Sequence, residues 1–287
     1  MRWSSRGRST DIEDRRGEGA GFGGGGIGRI APIGLGGLAI LVVLSLVTGQ
    51  NFLSVLDEGG GDPNVPSTTT ATTPRPSSPE EERMVDFVSF VLDDAQQTWE
   101  SILGSRYHHA KLVLFTDAVQ SACGMAESAT GPFYCPGDEK VYIDLGFYQE
   151  LKDRFGAPGE FAQAYVLAHE IGHHVQKLTG IEEQVRRAQE SNPSQVNALS
   201  VAMELQADCY AGVWGHSTSQ RNILEQGDVE SGLNAAAAIG DDRIQRMAGA
   251  RVAPERFTHG SSADRVSWFR RGLESGDVQS CNTFASR

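Results

Sequence analysis

The stretch His169-Glu170-Ile171-Gly172-His173 carries the residue types and spacing best suited to chemistry. On a helix, residues four apart share a face, so both imidazoles can reach one metal ion. Glu170 between them can then take a proton from a water that the metal has acidified. This is the pattern of a zinc-dependent peptide hydrolase. Catalytic zinc needs three protein ligands and one open position. Glu204, in the run Glu204-Leu205-Gln206-Ala207-Asp208, is the best candidate for the third ligand. Asp208, four residues on, is assigned to the outer nitrogen of His169, where a carboxylate fixes ring orientation and tautomer. Against this stands the simpler reading of both acids as solvated residues on a helix face.

Other histidines fit the site less well. His174 points about 100° away from His173 around a helix and is read as a surface or packing residue. His108 and His109 fall in an expected loop, and His216 is expected just after the helix that carries Glu204. His259, in Thr258-His259-Gly260-Ser261, is different. A cationic group near zinc could stabilise the oxyanion of a tetrahedral intermediate. A helix-capping loop with an incidental histidine explains the same residues.

The elements that must position these groups can be read from periodicity. Leu167, Ala168, Ile171, Val175 and Leu178 give an apolar stripe, so the metal helix is predicted over 160–178. Gly172 inside it costs about 1 kcal/mol relative to Ala, which points to backbone packed close by. Asn192-Pro193 predicts the start of a second helix whose stripe includes Val196, Leu199, Met203, Ala207 and Tyr210. Further helices are predicted over 229–247 and from Arg265 to Leu273, and a long amphipathic one from Val85 to Leu103. Lys111–Thr116 and Val141–Leu145 read as strands of a small sheet. An edge strand within 131–145 could align a peptide by backbone hydrogen bonds.

The net charge of −12 excludes nucleic acid as the main partner, because phosphate binding needs a basic surface. Residues 1–29 are Gly- and Arg-rich and are expected to be a flexible tail. No charged residue occurs from Ile30 to Leu56. That length suits one membrane crossing, so a retained signal anchor is expected over 30–53, in preference to a cleaved signal peptide. The arginines before it place the N-terminus in the cytoplasm and send the rest outside. Residues 54–82, rich in Pro, Thr and Ser, read as an extended tether, with the folded domain at 83–287.

The segment from His169 to Gln176, together with Glu204-Leu205-Gln206-Ala207-Asp208-Cys209-Tyr210-Ala211-Gly212-Val213-Trp214, resembles the neutral zinc metallopeptidase family of bacterial membrane proteins, the YpfJ-like proteins. Met1-Arg2-Trp3, Asp11 to Gly17, Gly131 to Pro136 and His259-Gly260-Ser261 are similar to the same family. The resemblance implies an α+β, zincin-like domain of gluzincin type behind one transmembrane helix, in a bacterial cytoplasmic membrane. It implies one Zn2+ on His169, His173 and Glu204, with Glu170 as base and a peptide or protein as substrate. By analogy with membrane-linked zinc peptidases, His259 would help bind the transition state and Arg265 would support the site. Four cysteines allow three pairings. Cys123 with Cys135 and Cys209 with Cys281 are preferred, because turn residues lie between the first two. The rival function is a non-hydrolytic, membrane-tethered binding or scaffold protein with a structural zinc.

Overall fold

The computed structural model describes residues 1–18, 77–128 and 131–284. The expected anchor at 30–53 and most of the expected tether lie outside these residues. No helix among the described residues is long and apolar enough to cross a membrane.

The chain is a mixed α+β protein. Its order is β1 (Ile12–Asp14), α1 (Pro79–Leu103), β2 (Lys111–Phe115), β3 (Ala118–Ser121), β4 (Gly124–Glu127), β5 (Phe133–Cys135) and β6 (Lys140–Asp144). There follow α2 (Gly146–Asp153), α3 (Glu160–Leu178), α4 (Ile181–Ser191), α5 (Val196–Gln220), α6 (Asp228–Ala238), α7 (Asp241–Met247) and α8 (Ser262–Ser275). The main sheet runs β1-β2-β6-β5, and β3 with β4 forms a separate hairpin. β1 and β6 pair parallel to β2, while β5 pairs antiparallel to β6 and forms the edge.

Several sequence expectations change. Residues 1–18 are not a tail. Ile12, Glu13 and Asp14 pair with Leu112, Val113 and Leu114, and Trp3 packs on Phe87 of α1 at 5.3 Å between ring centroids. Lys140 grips Glu13 at 2.7 Å across the sheet. The domain therefore includes residues on both sides of the apolar stretch. The expected N-terminus-inside, domain-outside arrangement turns on residues 30–53, which lie outside the described residues. The folded domain also resumes before residue 83. Ser78 caps α1 in a reciprocal box with Glu81, and Pro79 takes the first turn.

The predicted helix over 229–247 is two helices. The break falls at Ile239-Gly240, where a Cβ on Gly240 would lie 2.4 Å from the backbone nitrogen of Ser262. The chain must turn there to let the loop before α8 pass. His216 lies inside α5, not after it. The short helices α2 and α4 had no counterpart among the sequence expectations.

Two glycine contacts set the packing around α5. A Cβ on Gly172 of α3 would come within 3.0 Å of the Ala207 carbonyl oxygen, so α3 and α5 cross in near backbone contact. Gly212 of α5 and Gly272 of α8 meet likewise, with clashes of 2.1 and 1.9 Å for any added Cβ. Two of the helices packed on α5 are thus fixed by the absence of side chains. The core between α1 and α5 is aromatic, with Trp99 edge-on to Tyr210 at 5.2 Å.

Candidate metal centre

α3 runs from Glu160 to Leu178, the span its periodicity predicted. Its Leu167, Ile171 and Val175 are fully buried, which turns His169 and His173 toward α5. The tight crossing at Gly172 brings Glu204 to them. The Nε2 atoms of His169 and His173 lie 3.2 and 3.6 Å from the two carboxylate oxygens of Glu204. One ligand atom from each of the three lies within 4.8 Å of the others. Zinc–ligand bonds of about 2.0–2.1 Å in a tetrahedron place ligand atoms about 3.3 Å apart. The donor set is imidazole, imidazole and carboxylate, which zinc accepts, and the spacing fits a single ion.

The outer nitrogens are also held. His169 donates through Nδ1 to Asp208 Oδ1 at 2.9 Å. Asp208 is fully buried, so it is not a solvated helix residue. Arg265 of α8 donates to both its oxygens, through Nε to Oδ2 and Nη2 to Oδ1, each at 2.9 Å. The Tyr165 hydroxyl donates to Oδ1 as well. Arg265 is itself buried and gives Nη1 to the Ile239 carbonyl at 3.2 Å. Asp208 thus joins Arg265 to the His169 ring.

The electrostatics follow from these contacts. Burial alone would lower the basicity of His169, but the Asp208 charge and hydrogen bond outweigh it and push the pKa up to about 10. Burial would raise the carboxyl of Glu204, yet the imidazoles of His173 and His169 draw it below the usual range. Asp208 is likewise lowered, burial being outweighed by Arg265 and His169. A cation held by His169, His173 and Glu204 would stand in for the Nε2 proton of His169 beside Glu204, while Nδ1–H stays with Asp208.

A cavity of about 670 Å3 opens over the cluster. Glu170, His169, His173, Glu204 and His259 line it, with Gly131, Pro132, Phe133 and Tyr134 from the edge strand and its approach. An apolar wall comes from Phe147, Phe155, Val166, Ile239, Ile244 and Met247. The edge strand expected within 131–145 is β5, and it borders this cavity.

His259 reaches the cavity on a loop clamped by Asp241. Oδ2 of Asp241 accepts the backbone N–H groups of Thr258, His259 and Gly260 at 2.7, 2.7 and 3.0 Å. Oδ1 takes the His259 Nδ1 proton at 3.2 Å. Burial opposes the charged form of this imidazole, but Asp241 and Glu204 raise its pKa above the ordinary value.

His174 is a buried packing residue, accepting from the Tyr134 hydroxyl at 3.0 Å and donating to the His108 carbonyl at 2.7 Å. The cysteines pair as preferred, Cys123 with Cys135 and Cys209 with Cys281. Sequence reasoning missed Tyr165, Gln176, Gln206 and Asp241. Tyr165 had a signal, since it stands four residues before His169 on the same helix face. Asp241 had none, being 18 residues from His259.

A family model described as "Putative neutral zinc metallopeptidase" matches residues 1–284. "Uncharacterized protein YpfJ" of Escherichia coli (strain K12) is 49% identical over 99% of both chains. "Uncharacterized protein Mb2605" of Mycobacterium bovis is 43% identical over 66% of each chain. No solved structure matches this chain.

Proposed function

The chain belongs to the neutral zinc metallopeptidase family, and from that premise we propose that it hydrolyses peptide bonds in the cleft over His169, His173 and Glu204. One observation carries the reading: two imidazoles and a carboxylate sit at zinc-ligand spacing with Glu170 beside them in an open cavity. His169, His173 and Glu204 would hold the ion, which supplies Lewis acidity and lowers the pKa of a water toward about 7.

The chain's own residues do the rest. Glu170 accepts the proton of the attacking water and returns it to the leaving amine, so one carboxylate serves as base and then acid. His259 in its cationic form donates toward the oxygen that gains charge in the transition state. β5 offers backbone groups to an extended peptide. The apolar wall takes a bulky apolar side chain beside the scissile bond.

The scaffold reading, with a purely structural zinc, finds less support. Structural zinc sites use four protein ligands, and the cluster among the described residues offers three. We infer that any contact of the uncharged stretch from Ile30 to Leu56 with a lipid bilayer leaves both of its flanks on one side, a reading supported by the pairing of β1 with β2.

Metal analysis of the full chain tests the site. About one zinc per chain is expected, lost when His173 or Glu204 is replaced by Ala. A folded chain that binds no zinc would contradict it.

A further inference from the structure

The two imidazoles are supported by different chemistry. His169 rests on a buried charge cluster, whereas His173 rests on neutral amides. Nδ1 of His173 lies 2.9 Å from Oε1 of Gln176, one turn along α3. Nε2 of Gln176 is 2.8 Å from the Met203 carbonyl oxygen and 3.1 Å from Oε1 of Gln206. Nε2 of Gln206 is in turn 3.0 Å from the carbonyl oxygen of Cys281. Both glutamines are buried, at 0% and 4% exposure, where an unpaired amide is costly.

The direction of every bond in this chain is set at its ends. A peptide carbonyl can only accept, so the Met203 and Cys281 oxygens must each face an NH2 group. That fixes both amide orientations. Oε1 of Gln176 then faces His173, and Nδ1 must carry the proton. The lone pair of His173 is left on Nε2, the atom that stands 3.6 Å from Glu204. The far end of the chain is fixed too. Cys281 is bonded to Cys209 of α5, and Thr283 donates to the Ala202 carbonyl at 2.6 Å.

We propose that Gln176 and Gln206 are positioning residues for zinc: an amide relay, anchored on the carbonyl of Cys281, that fixes the tautomer and ring orientation of His173. This rests on the zinc reading above. The relay ties the C-terminal segment into the metal centre, although residue 281 lies 108 positions after His173. It also explains two buried glutamines on the facing sides of α3 and α5, where apolar residues would pack without desolvation cost.

The test uses the full chain, zinc alone as ligand, and Gln176→Met and Gln206→Met variants. Zinc affinity is read by chelator competition, and the imidazole Nδ1 protons of the zinc-loaded protein by 15N-resolved solvent exchange. Each variant is expected to weaken zinc binding by about ten- to a hundredfold. The His173 Nδ1 proton should exchange slowly in the unmodified chain and fast in both variants. The His169 proton, held by Asp208, should stay slow throughout, which separates loss of the relay from general loosening. Should a variant not fold, the unmodified chain still decides: a fast-exchanging His173 Nδ1 proton beside a slow His169 one overturns the relay. So does a folded Gln206→Met variant with unchanged affinity and exchange. Absence of zinc binding by the unmodified chain instead sinks the zinc reading itself.

Discussion

Asp208 holds His169 by its outer nitrogen at 2.9 Å, and the other nitrogen of the ring then stands 3.2 Å from Glu204. A single buried carboxylate thus orients one proposed ligand toward another. It does so while paired with the buried guanidinium of Arg265.

Asp208→Asn should keep the shape of the site but lose much of the charge balance. Zinc affinity is expected to fall by about ten- to a hundredfold. Asp208→Ala leaves Arg265 buried without its partner, at a cost of about 3–5 kcal/mol in unfolding free energy. Chemical denaturation of the metal-free chain checks this. A loss under about 1 kcal/mol for the Ala variant, in the range of an exposed ion pair, would contradict the buried-pair assignment.

The pH dependence of zinc binding follows from His169. In the metal-free chain its pKa is raised to about 10, so zinc must displace a proton at neutral pH. Apparent affinity should therefore rise by about one log unit per pH unit from about 7 toward 10. The sign for stability is opposite. A raised imidazole pKa stabilises the metal-free fold fully below about 6.5 and progressively less as pH rises toward 10. A zinc affinity that is flat above pH 7 would count against this coupling.

Cleavage should favour peptides with a bulky apolar side chain beside the scissile bond. Ile244→Asp in the cavity wall is expected to raise KM for such peptides by about tenfold or more with little change in kcat, because it removes binding made equally in ground and transition states. Steady-state kinetics on a peptide pair differing by Leu and Asp at that position would show it. Equal discrimination by the variant and the unmodified chain would reject the assignment of the wall.

Strand β1 sets a topological prediction. A cysteine placed at Ser5 and one placed at Ser219 of α5 should react with the same impermeant thiol reagent in intact cells, or both be protected. Labelling of one alone would mean that β1 and β2 are not paired in the cell.

The site was more legible in the sequence than the frame around it. His169, Glu170 and His173 are local to one helix, and Glu204 with Asp208 to another. Spacing alone puts His169 with His173 on one face and Glu204 with Asp208 on another. Ile12-Glu13-Asp14 is a strand only because β2 lies beside it, and nothing in a run of charged residues announces that partner. Gly172 did signal a close backbone approach, and Ala207 supplies it. Gln206 and Asp241 escaped because they meet Cys281 and His259, 75 and 18 residues away; Gln176 stands one turn from His173, but the partner that orients its amide is Gln206, 30 residues on. The break at Gly240 escaped for the same reason, since the residue that forces it is Ser262.

The central claim is that Glu170 works as the base at a zinc cleft. Peptide hydrolysis by the zinc-loaded chain and its Glu170→Gln variant, at equal zinc content and equal thermal midpoint, tests it most directly. The variant is predicted to keep the metal and the fold and to lose at least about a hundredfold in kcat/KM. Equal hydrolysis by the two proteins would contradict the claim.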